Sequence, residues 1–152
     1  MRKVKRAFFA FTCLVLLATL ACQGVSAVEI EPRASLYLSS YGATINKTSS
    51  TTSPGFDIDF NVVATVYSEY VGVSKIEIYK ADGTPVMTIR GNTGNGLLRA
   101  NSLGHLGHYT VNATVGETYY AVITAYATAN GGADMKTYTT NTYTVPATVA
   151  SH

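Results

Sequence analysis

Residues 116–134, GETYYAVITAYATANGGAD, constrain the fold more than any other stretch. They read as a tight turn, a strand of about nine or ten residues and a glycine-rich hairpin tip. One register puts Tyr119, Ala121, Ile123 and Ala125 on one face, and the other puts Tyr120, Val122, Thr124 and Tyr126 opposite. Neither face is strongly polar and the strand itself carries no charge. That pattern belongs to a central strand rather than an edge. The rest of the chain is expected to be laid around it.

Residues 35–45 alternate, with Tyr37, Tyr41, Ala43 and Ile45 on one register, and the polar stretch 46–55, punctuated by Pro54-Gly55, is a loop. Residues 56–66 have the clearest period of two: Phe56, Ile58, Phe60 and Val62 point inward while Asp57, Asp59 and Asn61 face water. A connection at 67–72 leads to 73–81, with Ile76 and Ile78 inward and Lys75 and Glu77 outward. Asp82-Gly83 is the dipeptide a two-residue hairpin turn prefers, both residues taking positive φ. Pro85 makes 86–90 an edge strand. Residues 91–104 are the least regular, pinned by Leu97, Leu98 and Leu103, with a helical turn left open. Residues 105–115 alternate again through Tyr109, Val111, Ala113 and Val115. After the Asn130-Gly131-Gly132 tip, 135–145 returns as a threonine–tyrosine strand that Pro146 stops.

About seven strands at regular spacing, with Gly and Pro turns between them, predict an all-β antiparallel sandwich or barrel over residues 35–146. No repeat of 20–50 residues is present, which excludes a propeller or solenoid. Ahead of this domain, RKVKR at 2–6, an apolar run over 7–20 and Val25-Ser26-Ala27 form the three regions of a signal peptide. Cleavage is expected after Ala27, leaving a short leader at 28–34 and a disordered tail at 147–152. The alternative of an uncleaved membrane anchor is disfavoured because the apolar run is shorter than the roughly 20 residues a span needs, and no membrane span is expected after cleavage. Cys22, preceded by Thr19-Leu20-Ala21, offers lipid attachment as a minor alternative. The expected location is therefore secreted and extracellular.

Removing 1–27 changes the chemistry. Four of the 11 basic residues go, leaving seven against nine acids, so nothing electrostatic favours nucleic acid. Both cysteines, Cys13 and Cys22, go as well, and with them any disulfide framework or zinc–thiolate site. All eleven tyrosines remain, and there is no tryptophan.

Gly116-Glu117-Thr118-Tyr119, the alternating run after it and Asn130-Gly131-Gly132 resemble the E–F turn and F strand of immunoglobulin-like and fibronectin type III domains. That resemblance implies an immunoglobulin-like (fibronectin-III-like) sandwich, with Tyr119 as a corner tyrosine bonded back to the chain. The C-strand tryptophan of the family is missing, which places the chain among its looser relatives. A longer resemblance starts at Pro32-Arg33-Ala34-Ser35, Tyr37-Leu38 and Tyr41, continues through 71–82 and ends with 116–144. It is to a family of small secreted Firmicutes proteins classed as a domain of unknown function. It implies export from a Gram-positive bacterium and leaves the function where the residues left it.

No residue pattern points to catalysis, a cofactor or a metal. Asp57 and Asp59 share a strand face, as half of a calcium site would, but so does any solvated face. His105 and His108 lie on opposite faces of a strand and lack a third ligand. Residues 91–96 (GNTGNG) lack the lysine and following helix of a phosphate cradle. There is no G-x-S-x-G elbow. The expectation is a non-catalytic module that recognises a protein or glycan at the cell surface. Its candidate surface is Tyr67, Tyr70, Tyr126, Tyr138 and Tyr143 with Asn130, because tyrosine among Asn, Ser, Thr and Gly suits adaptable recognition. Two alternatives stand beside it: an assembly subunit pairing through an edge strand at 135–145, and a carbohydrate-binding module.

Overall fold

One strand organises the sheet, and it is not the one around residue 122. The computed structural model describes residues 35–50 and 52–147. The expected signal peptide, the 28–34 leader and 148–152 of the tail lie outside the described residues. After β1 (Leu38–Lys47) comes β2 (Gly55–Lys80), which runs 26 residues without a break. β3 (Pro85–Arg90), β4 (Leu98–Asn112), β5 (Thr118–Ala129), β6 (Gly132–Thr139) and β7 (Tyr143–Thr144) follow, with no helix among the described residues. All pairings are antiparallel, in the order β1-β2-β5-β6, with β3 and β4 also on β2 and β7 on β5. The fold is all-β, and β5 is central, as its two apolar faces require.

The first half of β2 lies between β1 and β4, and its Phe56, Ile58, Phe60 and Val62 are buried as their period of two predicts. The second half lies between β5 on one side and β3 with the start of β4 on the other. Extended straight, β2 would carry Lys80 about 80 Å from Phe56. Lys80 is nevertheless paired with Tyr119, whose ring centroid is 5.4 Å from that of Phe56. The strand has bent until its ends meet, and the sheet curls with it into a half-barrel around one core.

Two irregularities take up the bend. Between Val63 and Ser68, β2 gains residues relative to β4, and Ser68 to Gly72 then pair regularly, so the expected connection at 67–72 is the end of a bulge and the strand that continues from it. Ser74 is a second extra residue, between the Val73–Ala125 and Lys75–Thr124 pairs. Beside it Gly72 holds φ 141°, and the carbonyl of Leu97, next to Gly72's partner Leu98, accepts from Val73 N at 2.8 Å.

Other local expectations need correction. Asp82-Gly83 is not a two-residue turn: Lys80 N donates to Thr84 O and only Gly83 has positive φ, leaving a three-residue loop. Leu97 is buried, but Leu103 is exposed and Leu98, the first residue of β4, is half-buried, so neither of those two anchors 91–104. Val115 is exposed too. Asp57 does not face water. It is 7% exposed, accepting from Ser49 N at 2.9 Å and facing the Thr48 hydroxyl. Burial pushes its carboxyl up, but hydrogen bonds from Thr110, Ser49 and Thr48 outweigh that and hold it below the usual carboxylate value. Asn130 (φ 51°) and Gly131 (φ 75°) do form a two-residue turn between the paired Ala129 and Gly132.

The curl brings β1 alongside β6, and side chains close the seam. Asp134 Oδ2 accepts from Ser35 Oγ and from Tyr37 N, each at 2.6 Å. At the other end Ile45 N donates to Asn141 Oδ1 at 2.9 Å, and Asn141 Nδ2 donates to Ile45 O at 3.1 Å. Asn141 thus stands in for a neighbouring strand on an edge that would otherwise be bare. The Ser35 hydroxyl, with the Tyr37 amide, holds the Asp134 carboxyl below its ordinary value. A group depressed in the fold contributes stability above its unfolded pKa, and that contribution is lost as pH falls through the folded value. Asp134→Asn is expected to lower the urea midpoint at neutral pH. It should also flatten the fall in stability below about pH 4. Parallel acid limbs for the two proteins would remove Asp134 from the seam.

Candidate recognition surface

Strand parity decides where each tyrosine goes. On β5, Tyr119, Ala121, Ile123, Ala125, Ala127 and Ala129 are buried, so the even-numbered residues form the outer face. Tyr126 is on that face, paired with Met135 of β6 and Gly72 of β2. Thr128 follows it, paired with Tyr70 and Ala133. The Thr128 hydroxyl accepts from Tyr70 N at 3.1 Å, which fixes the two strands where the tyrosines meet. Tyr70 (45% exposed) and Met135 (62% exposed) flank the half-buried Tyr126. The exposed Asn130 caps the same end of the hairpin. Three of the six candidate residues are therefore gathered: Tyr70, Tyr126 and Asn130.

The other three are dispersed. Tyr67 is 70% exposed on the β2 bulge. Tyr138 pairs with Ile123 and is thus on the inward parity of β6, where it lines a shallow depression of about 370 Å³ with Gly42, Thr44, Asn61 and Leu106. Tyr143 is half-buried against Phe56, their ring centroids 6.3 Å apart. Tyr119 is 4% exposed, and its hydroxyl accepts from Thr114 N at 3.3 Å.

Sequence reasoning missed Met135 and a second aromatic pair. Tyr79 and Tyr120 are cross-strand partners on the outer face, stacked with centroids 5.3 Å apart and planes 15° from parallel. The signal for Met135 was available once the turn was assigned to Asn130-Gly131, because a two-residue loop fixes every β5–β6 pair, whereas Tyr79–Tyr120 belongs to the β2–β5 pairing, which no short loop sets.

The groups weighed for chemistry are engaged elsewhere. Asp59 Oδ2 accepts from Asn46 Nδ2 at 2.6 Å, while Asp57 is tied to the 48–49 turn. No cluster of three His, Cys, Asp or Glu side chains occurs among the described residues. His105 pairs with Val62 and sits edge-on to Phe60 at 5.3 Å, its Nε2 2.7 Å from Gly96 O. His108 pairs with Asp59 on the opposite face. In the 91–96 loop, Asn92 N and Asn95 N each donate to the other's side-chain oxygen, at 3.0 and 2.9 Å. Those amides are spent on the loop itself rather than offered to an anion. No helix among the described residues is long and apolar enough to cross a membrane.

No protein-family model matches the chain, and neither a curated protein nor a solved structure matches it.

Proposed function

We propose that the chain is an exported, non-catalytic recognition module that binds a protein or glycan at a Gram-positive cell surface. The observation that carries this reading is the outer face of Tyr70, Tyr126 and Met135 beside the Asn130 turn. Two phenol rings and a thioether on rigid strands offer apolar area at small entropic cost, and the hydroxyls and Asn130 add polar contacts. Export is supported by the charged, apolar and small-residue pattern ending at Ala27. For the finer architecture we favour a sandwich of the immunoglobulin-like kind, whose two layers share β2. The buried Tyr119, bonded back to Thr114, supports that assignment, while the single continuous sheet and missing tryptophan depart from it.

The reading is tested on protein recovered from the medium of a Gram-positive host, with Val28 expected as its first residue. Purified cell wall and a glycan array are the probes. Binding to one of them, weakened about 30-fold by Tyr70→Ala and again by Tyr126→Ala, is the expected result. Binding that survives both substitutions, or no binding to either probe, overturns it.

A further inference from the structure

Five strands pair on one side only among the described residues; β7 is two residues long, and three of the other four are guarded. β1 is covered near its two ends by the side chains of Asp134 and Asn141, and β6 carries the charges of Asp134 and Lys136. β3 is six residues long, begins with Pro85 and ends with Arg90. β4 is different. It is 15 residues long and pairs only with β2 among the described residues. No Lys, Arg, Asp, Glu or Pro occurs between Arg99 and Glu117. Natural sheets blunt exposed edges with charge, proline or shortness, and this edge has none of them.

Its hydrogen-bonding parity is set by Ala113 N, which donates to Pro54 O. Alternation then turns the odd-numbered residues of 105–111 toward β2 and leaves the N–H and C=O of Gly104, Leu106, His108, Thr110 and Asn112 pointing outward. The Ser102 hydroxyl satisfies Gly104 by donating to its carbonyl at 2.8 Å and accepting from its amide at 3.3 Å. Leu106, His108, Thr110 and Asn112 remain, all four exposed and with no partner for their outward amides among the described residues.

We infer that this edge pairs with β4 of a second copy of the chain, antiparallel about a two-fold axis at Tyr109, so that the sheet continues through a dimer. An isologous contact needs a surface complementary to itself, and an edge without charge meets its own copy without like-charge repulsion. The register that places Leu106 opposite Asn112 and His108 opposite Thr110 is the one that engages all four free residues of each copy. It sets Tyr109, half-buried beside the core, against its symmetry mate. This interface is separate from the tyrosine-bearing face, so either proposal can fail alone.

Sedimentation velocity between about 1 and 500 μM tests it, with a reversible dimer as the expected result. His108→Pro removes the outward amide and no bond to β2, and should weaken dimerisation at least about tenfold. His108→Ala keeps the amide and should leave assembly unchanged. In the wild-type protein, exchange at the Leu106, His108, Thr110 and Asn112 amides should slow as concentration rises. A monomer across the range overturns the inference, as does a dimer that His108→Pro leaves intact. Should the proline variant not fold, the amides decide: protection at these four supports β4 pairing, and protection confined to another edge refutes it.

Discussion

Gly72→Ala is expected to destabilise the domain by about 3 kcal/mol or more and to lower Tm by about 10 °C or more. Two independent costs meet at this residue. Its φ of 141° lies where side-chain-bearing residues are strained. A Cβ placed there would also be 2.2 Å from the Leu97 carbonyl oxygen and 3.0 Å from His105 Cδ2. The carbonyl cannot retreat cheaply, because it accepts from Val73 N and Leu97 is fully buried. Gly83→Ala separates the two costs. Its φ is 87°, but a Cβ there meets nothing within 4 Å, so only backbone strain of about 1 kcal/mol is expected. Equal losses for the two variants, read from urea unfolding, would mean that the Leu97 carbonyl is not packed against Gly72.

The contrast between these glycines also marks how far the sequence could be read. Gly83 announces itself, since Asp-Gly between two alternating runs signals a turn, even though the loop has three residues rather than two. Nothing near Gly72 signals a bulge. Tyr67 to Gly72 (YSEYVG) looks like a connection because the alternation lapses there. It lapses because β2 bends at that point and pairs with different neighbours on either side, which only partners distant in the chain can specify. The same limit hid Asp57. Period two placed it on the face of β2 opposite Phe56 and Ile58, but could not show the 48–49 turn that folds over it and takes it out of water.

Where local rules suffice, they were legible. Phe56 to Val62 and Tyr119 to Ala125 point inward as their alternation demands, and Asn130-Gly131 turns with both residues at positive φ. The tyrosine surface was half legible. Composition could say that eleven tyrosines were too many for one core, but assigning each to a face needs the register. Parity sets Tyr126 outward and Tyr138 inward, although both come from the same hairpin. Edge protection was not legible at all. Asp134 and Asn141 guard backbone groups more than 95 positions away in the chain.

Phe56→Ala should be the most damaging core substitution, costing about 4 kcal/mol. The side chain is fully buried at the start of β2. It packs on Tyr119 of β5 at 5.4 Å and on Tyr143 of β7 at 6.3 Å, rings delivered from the opposite end of the curled sheet. Removing it leaves a cavity that rigid strands on both sides cannot collapse into, so the transfer and cavity costs add. Phe56→Leu keeps most of the volume and should cost about 1–2 kcal/mol. Tyr119→Phe keeps the ring and removes only the acceptor for Thr114 N, a loss of about 1 kcal/mol. If Phe56→Ala cost no more than Tyr119→Phe, the ring would not bridge the two ends of β2 and the sheet would not be wrapped as described. If it costs the full amount, loss of the β2–β5 contact should appear first as faster exchange of the β7 amides. β7 is two residues long and, among the described residues, pairs with β5 at Thr118 and Tyr119, so it leans on the Phe56 ring against Tyr143 as well as on that pairing.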